Sequence, residues 1–164
     1  MSFLKGFQYA FCGIIHCVKN ERNMRFHTVA ALYVLIFARF FHFTRAEYVL
    51  LLLTIGGVLA AEAINTSIEE LCDKVCLKKD EHIRRAKDAA AGSVLILAFF
   101  AAIIGIVMFS DAAGWLNLFE FYGTHPVNLT ALIVSAAAAV LLIVFVPKKQ
   151  QHNIQTKSKD DHKE

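Results

Sequence analysis

Charged residues are scarce in this chain: Asp, Glu, Lys and Arg together make up 19% of its 164 residues. A soluble domain normally carries about 25%. Hydrophobic residues make up 57%, and the mean hydropathy is +0.50. This shortage of charge excludes an ordinary soluble domain and predicts a small integral membrane protein of one domain. The net charge of +3 gives no indication of a nucleic-acid partner.

Several motifs are also missing. No Gly-rich phosphate loop of the Walker type occurs, and Gly56-Gly57 lies too deep in an apolar run to serve as one. The N-terminus lacks the basic region, apolar core and small-residue cleavage site of a signal peptide, so we expect no cleavable leader. The cysteine spacings match no zinc ribbon or redox motif, so we interpret the cysteines as reduced packing residues. They are Cys12, Cys17, Cys72 and Cys76.

What the chain does contain is a series of helical patterns. Residues 1–20 alternate apolar and polar faces at helical period, which predicts an amphipathic helix lying in the membrane interface. Residues 19–27 predict a short polar bridge. Apolar segments follow at 28–44, 48–66, 89–110 and 127–146. Because a spanning helix needs about 20 residues, the predicted fold is an all-α membrane protein with an interfacial helix and a bundle of four transmembrane helices.

Lys and Arg are strongly segregated along the chain. All but two of the 17 fall in residues 1–27, in residues 74–87 or after Pro147, and residues 111–126 contain none. Basic residues favour the cytoplasmic side. We therefore expect both termini and the 74–87 connection in the cytoplasm, with residues 111–126 as an outer loop. The polar tail at 148–164 is predicted to be disordered.

A stripe of polar residues follows the second apolar segment. Glu62, Asn65, Thr66, Glu69 and Asp73 share one face of a helix, because their spacing follows its period. Ionisable groups at the bilayer edge are costly and therefore indicate a functional site. The last residues of the stripe could simply be the solvated end of a helix. Glu62 and Asn65 resist that interpretation, because apolar residues flank them on both sides.

These residues supply the parts needed for phosphoryl transfer. Glu21 and Glu69 are carboxylates on different elements that could hold Mg²⁺, which shares its remaining coordination with phosphates. Lys87 could meet phosphate oxygens. Glu62 would be partly desolvated, which makes a carboxylate a stronger base for a hydroxyl proton. A metal, a cation and a base suffice for a reaction that depends on positioning and charge neutralisation.

The pattern Glu62-x-x-Asn65-x-x-Ile68-Glu69-x-x-x-Asp73, followed by Ala86-Lys87-Asp88, resembles the signature of the small prokaryotic diacylglycerol kinase family. Asn20-Glu21 and the aromatic-rich N-terminal helix extend the resemblance, which covers about residues 1–110. The variant sequence Asn65-Thr66, with Ala86-Lys-Asp-Ala-Ala-Ala-Gly-Ser-Val94, looks like the branch that phosphorylates undecaprenol.

The resemblance implies an ATP- and Mg²⁺-dependent lipid kinase. It implies that Glu62 accepts the proton of the lipid alcohol and that Asn65 helps to place the reacting groups. It also implies a nucleotide site with two magnesium ligands, a lysine–aspartate pair and an aromatic side chain. Those residues are Glu21 and Glu69 as the ligands, Lys87 and Asp88 as the pair, and Tyr9.

The resemblance further implies a homotrimer with shared active sites, in the bacterial inner membrane. The chain departs from the family pattern after residue 110. We therefore divide it into a lipid kinase domain at 1–110, an outer loop with an extra fourth span at 111–147, and the tail at 148–164. Because every proposed reacting group precedes residue 89, we expect the extension to be dispensable for the chemistry.

Other functions stay open at this point. Diacylglycerol is the alternative lipid to undecaprenol. A small transporter or ion pathway would use Glu62 and Glu69 as a cation relay, but its polar residues should continue along other spans. A structural membrane protein would use Glu62 and Asn65 as interhelical hydrogen bonds. Neither of these non-enzymatic functions requires Glu21 and Lys87 at the same membrane edge.

Overall fold

The computed structural model describes residues 3–75 and 80–145. These residues form helices and no strands, which confirms the predicted all-α class. The predicted disorder of the tail and the role assigned to Cys76 lie outside the described residues. In chain order the helices are α1 (Phe3–Asn20), α2 (Arg22–Ala38), α3 (Arg45–Val75), α4 (Glu81–Met108), α5 (Ala112–Thr124) and α6 (Pro126–Phe145).

The centre of the fold is an antiparallel pair formed by α3 and α4. The two helices contain 31 and 28 residues, so they are about 46 Å and 42 Å long. Since the hydrocarbon core of a bilayer is about 30 Å thick, both helices extend past it at one end. In the described chain α3, α4 and α6 are long and apolar enough to cross a membrane. The protein is therefore a membrane protein.

The second apolar segment and the polar stripe belong to one continuous helix. α3 begins after Thr44, where a reciprocal capping box forms with Glu47. The Glu47 carboxylate accepts from the Thr44 backbone N–H at 2.7 Å, and Thr44 Oγ1 accepts from the Glu47 N–H at 3.3 Å. This cap starts α3 at Arg45, three residues before the predicted second segment at 48–66.

The first apolar segment forms α2, six residues closer to the N-terminus than the predicted 28–44. The predicted polar bridge at 19–27 is correspondingly wrong: only Glu21 interrupts the helices, with an extended backbone at φ −107° and ψ 124°. Its N–H donates to the carbonyl of Cys17 and its carbonyl accepts from the N–H of Arg25. α2 has 17 residues, about 26 Å, so its crossing of the membrane stays a prediction.

α4 begins eight residues before the predicted third segment. Asp80 caps its N-terminus by accepting from the backbone N–H groups of His82 and Ile83 at 2.8 Å and 3.2 Å. A cap of this kind satisfies donors that the first turn leaves unpaired. The helix therefore carries Lys87 and Asp88 in its second turn rather than in a preceding loop.

The predicted outer loop is a helix. Asp111 caps α5 through the N–H of Ala113 at 3.1 Å, and the indole Nε1 of Trp115 donates to the carbonyl of Phe109 at 2.7 Å. The ring of Phe41 lies against Trp115 and against Gly114, where an added Cβ would overlap it. Aromatic packing at the end of α2 thus holds residues 112–124 as a helix, whereas their lack of Lys and Arg predicts an outer loop.

The extra helix α6 lies against α2. The hydroxyls of Tyr33 and Ser135 form a hydrogen bond of 2.9 Å between the two helices. None of the residues of α6 is buried against the rest of the described chain. The extension after residue 110 therefore packs on one flank of the bundle and leaves the α3–α4 pair accessible.

Candidate active site

The site is centred on a buried carboxylate in α3. Glu62 is 2% exposed, and its Oε2 has no hydrogen-bond partner among the described residues. Asn65 and Thr66 follow on the same face and are also buried. Burying a carboxylate without pairing both oxygens is unfavourable. The fold therefore keeps a desolvated carboxylate at this position, and its predicted role as proton acceptor stays a prediction.

The beginning of α2 brings a second polar group to Glu62. The side chain of Asn23 hydrogen-bonds the Glu62 carboxylate, and the charges of Glu21 and Glu69 act on it as well. The break between α1 and α2 places Glu21 here, because it turns the chain next to the middle of α3. The structure thus brings together the three carboxylates that the sequence assigned to base and metal binding.

Asn65 links the buried carboxylate to the rim of the site. Its Nδ2 donates to Oε1 of Glu69 at 3.1 Å, whereas its Oδ1 is buried without a partner in the described chain. Glu62 and Glu69 lie two turns apart with Asn65 between them, so one amide can orient both ends of a bound group. The predicted positioning role of Asn65 stays a prediction.

Lys87 joins α4 to the end of α3. Its Nζ donates to Oδ1 of Asp73 at 2.6 Å. Asp88 turns instead to Arg84, with a distance of 3.0 Å between Oδ2 and Nη1, on an exposed surface. Lys87 therefore lies at the rim near the carboxylates, while Asp88 faces solvent. Their predicted contacts with a nucleotide stay predictions.

α1 closes the rim from the other side. His16 pairs with Glu70 of α3, and the thiol of Cys17 lies close enough to Thr66 for a hydrogen bond. Burial, followed by the charge of Glu70, raises the pKa of the Cys17 thiol. Tyr9, predicted beside the nucleotide, lies two turns before His16 and is 58% exposed. None of its described hydrogen bonds or ring contacts ties it to the carboxylates.

Sequence reasoning missed three residues of this region. They are His16, Asn23 and Arg25. Arg25 is 3% exposed and its Nη1 donates to the carbonyl of Lys19 at 3.0 Å. Arg25 falls within the predicted short polar bridge at 19–27, and no periodic signal distinguishes it from its neighbours. His16 lies on the polar face of an amphipathic helix, where a solvated side chain is the default.

The carboxylates suit a magnesium ion shared with phosphates. Across residues 3–75 and 80–145, no three side chains of His, Cys, Asp or Glu are arranged to hold a metal by themselves. Mg²⁺ is commonly held by one or two carboxylates, with water and phosphate oxygens supplying the rest. Glu21 and Glu69, on separate elements and both near the desolvated Glu62, fit that donor set.

Comparison with known proteins agrees with this geometry. Residues 8–109 match the sequence model of the family described as prokaryotic diacylglycerol kinase. Undecaprenol kinase of Bacillus subtilis is 38% identical over 107 residues, which are 65% of this chain and 87% of that enzyme. A diacylglycerol kinase of Synechocystis is 34% identical over 63% of this chain and 60% of its own length.

A diacylglycerol kinase of Haemophilus influenzae is 28% identical over 62% of this chain and 88% of its own length. No solved structure matches significantly. The family match contains Glu21, Glu62 and Lys87, and it ends where α5 and α6 begin. The buried carboxylate at a membrane edge and the match over most of the helical bundle lead to one conclusion: this chain belongs to the prokaryotic diacylglycerol kinase family and is a lipid kinase.

Proposed function

We propose that this enzyme phosphorylates undecaprenol to undecaprenyl phosphate, with ATP as phosphoryl donor and Mg²⁺ as cofactor. The observation that carries the proposal is Glu62, which is buried and follows a membrane-length apolar run, and whose Oε2 has no partner in the part of the chain that the structure describes. A base in that position serves a substrate whose hydroxyl lies at the lipid interface. The undecaprenol kinase of B. subtilis, at 38% identity, supports the choice of lipid.

In the proposed reaction the lipid hydroxyl approaches Oε2 of Glu62. As the hydroxyl oxygen forms a bond to the γ-phosphorus, its proton passes to Glu62 and the bond from the γ-phosphorus to the bridging oxygen of ADP breaks. The products are the lipid phosphate and ADP, and Glu62 then releases its proton. Asn65 positions the reacting groups through its free Oδ1 and its bond to Glu69.

Glu21 and Glu69 would hold the magnesium ion. Bound there, the ion would neutralise phosphate charge, which is its usual contribution to phosphoryl transfer. Lys87 would leave Asp73 for a phosphate oxygen, with Asp88 and Tyr9 contacting the rest of the nucleotide. A cation held by Glu21 and Glu69 would also offset the negative charge of the three carboxylates gathered here.

We propose the bacterial inner membrane as its location, with the site and both termini on the cytoplasmic side where ATP is found. The segregation of Lys and Arg supports this orientation. A homotrimer is proposed from the family resemblance. Mass measurement of the purified protein in detergent tests that assembly.

The test of the function offers undecaprenol and diacylglycerol side by side to the purified protein in detergent, with labelled ATP and with or without Mg²⁺. We expect Mg²⁺-dependent label in undecaprenyl phosphate and a higher kcat/KM for undecaprenol. Glu62→Gln, prepared in parallel, should leave both lipids unlabelled. A higher kcat/KM for diacylglycerol would establish the alternative, which the names of two relatives support.

A further inference from the structure

An apolar groove runs between α2 and α4, with α3 as its floor. α2 packs on α3 and α3 packs on α4, so the outer two helices flank an opening. The groove consists of two cavities that meet at Val34 and Gly105, which line both of them. Their volumes are about 130 Å³ and 540 Å³. Because Val34 and Gly105 line both, the two cavities lie end to end along α2 and α4.

One end of the groove leads to the reacting carboxylate. On α3 the groove residues Leu51, Ile55 and Val58 lie on the same helical face as Glu62, which follows one turn later. On α2 the first groove residue is His27, one turn after Asn23, which hydrogen-bonds Glu62. A chain lying in the groove therefore reaches the base at its polar end.

At the other end of the groove, α5 contributes the side chain of Trp115. Trp115 lines the second cavity together with Phe37 and Phe109. Its indole is held by the hydrogen bond to the carbonyl of Phe109 and by the edge-to-face contact with Phe41. The family match ends at residue 109, so this wall belongs to the extension that distinguishes the chain from the family pattern.

The groove is long enough to distinguish lipid tails. Fourteen residues of α2 separate Asn23 from Phe37, a length of about 21 Å along the helix axis. In a bilayer an apolar tail gains little from leaving lipid for protein, so fit to the shape of the groove decides which tail is held. A fixed aromatic wall at the far end is the feature that would select among tails.

We propose that the groove binds the tail of the polyprenol substrate, with the hydroxyl at Glu62, and that Trp115 is a specificity-determining residue at the far end. This inference rests on the proposed function, since it takes the polyprenol as occupant. It gives the extension a role in choosing the lipid that is separate from the chemistry, whose groups all precede residue 89.

Trp115 is the single tryptophan of the chain, so its fluorescence reports on the groove directly. The experiment places the full chain in phosphatidylcholine vesicles and adds polyprenols brominated at one position. Bromine on an isoprene unit about 20 Å from the hydroxyl should quench Trp115 saturably, and unlabelled polyprenol should reverse the quenching. Bromine on the unit next to the hydroxyl should quench weakly. Equal quenching from both positions would overturn the proposal.

Gly105 offers a way to fill the groove without disturbing the helices. A Cβ added there meets open space, so Gly105→Leu should fold normally while its side chain occupies the junction of the two cavities. We expect this variant to lose the saturable quenching. The matched control is Ala102→Leu, on an exposed part of α4 outside both cavities. In this variant the brominated polyprenol should quench Trp115 as it does in the parent protein. Quenching retained by Gly105→Leu would refute the tail path.

Kinetics separate this inference from the proposed function. Trp115→Ala should raise KM for a long polyprenol about tenfold, while kcat and the KM for a polyprenol too short to reach α5 stay unchanged. An equal loss for both lengths would mean that Trp115 acts only through stability and would reject its selective role. The parent protein could phosphorylate no polyprenol and still show position-dependent quenching of Trp115. That result would reject undecaprenol as the substrate but would support binding of an apolar tail in the groove.

Discussion

At the scale of single residues, Glu62 has properties that a structural carboxylate would not need. Buried charges in proteins are normally paired, since an unpaired one costs several kcal/mol. Glu62 has an oxygen without a partner among the described residues, and the carboxylates of Glu21 and Glu69 lie near enough to act on it electrostatically. That combination is typical of a site that keeps a base ready for substrate.

The amide variant Glu62→Gln tests the base. We expect a loss of turnover on the order of 10²-fold or more, because the amide keeps the shape but cannot accept the proton. Nucleotide affinity and folding should change little. The control Glu47→Gln makes the same change at the other end of α3, where the carboxylate caps the helix. Near-normal turnover of Glu62→Gln at saturating ATP would show that another group is the base.

The pair Glu21 and Glu69 is tested through magnesium. Glu21→Ala and Glu69→Ala should each raise the Mg²⁺ concentration needed for half-maximal activity. The double variant should be little worse than either single one, because two ligands of one ion act as a unit. Magnesium titrations of initial rates measure this. Additive losses would assign the two carboxylates to separate tasks.

The alkylation rate of the Cys17 thiol tests whether α1 covers the edge of the site next to Thr66 and Glu70. Its raised pKa, caused first by burial and then by the charge of Glu70, leaves less thiolate at a given pH. Because the thiolate is the reactive form, Cys17 should be alkylated more slowly than the exposed Cys12, and the gap should narrow as pH rises. Glu70→Gln should speed labelling of Cys17 alone. Mass spectrometry of single-cysteine variants measures both rates, and equal rates would contradict the buried rim.

At the scale of elements, short local signals decide where each helix starts. Thr44 with Glu47, Asp80 and Asp111 cap three helices, and each cap shifts a boundary that hydropathy placed elsewhere. α5 also depends on tertiary contact, because Phe41 packs against Trp115 and over Gly114. The ring of Phe41 fills the space that a side chain at position 114 would occupy, and this contact holds α5 against the turn that follows α2.

Gly114→Ala tests the docking of α5. The added methyl would overlap the ring of Phe41, so we expect a destabilisation of about 1–3 kcal/mol and a red shift of Trp115 emission as the indole becomes exposed. Gly123→Ala is the matched control in the same helix, where a Cβ meets open space. It should leave the emission unchanged. A normal emission spectrum and melting temperature for Gly114→Ala would exclude the tight contact.

At the scale of the whole molecule, the carboxylates of the candidate site and the aromatic contacts of α5 lie at opposite ends of the helical bundle. The carboxylates lie where α1 and α2 meet α3, and α5 lies at the far end of the bundle beside the start of α3. Lys and Arg are concentrated in segments of the sequence next to these carboxylates, whereas residues 111–126 contain none. The proposed orientation of the protein in the membrane rests on this asymmetry.

Thiol labelling in intact cells tests the orientation, in a background without native cysteines. A cysteine at Ser158, which lies outside the described residues, should be protected from an impermeant reagent until the cells are opened. A cysteine at Leu116, which is 68% exposed on α5, should react at once. The expected pattern follows from the positive-inside distribution. The reverse pattern would invert the topology and place the carboxylates away from cytoplasmic ATP.

Much of the site could be predicted from the sequence, because its residues follow one another at helical spacing. Glu62, Asn65 and Glu69 were found since i, i+3 and i+4 neighbours share a face whatever the fold. Asn23 and His16 could not be found in this way, because their partners lie on another helix. The capping box of Thr44 and Glu47 is a local signal as well, because a Thr followed three residues later by a Glu marks a helix start.

The sequence by itself determined the all-α membrane class and the polar stripe of α3, because hydropathy and helical period act locally along the chain. The tertiary structure alone decided that Glu21 lies near Glu62 and that residues 112–124 form a helix. It also decided that Trp115 lines the groove between α2 and α4. Each of these depends on contacts between elements far apart in the chain. No pattern within one segment can record the side chain that will pack against it.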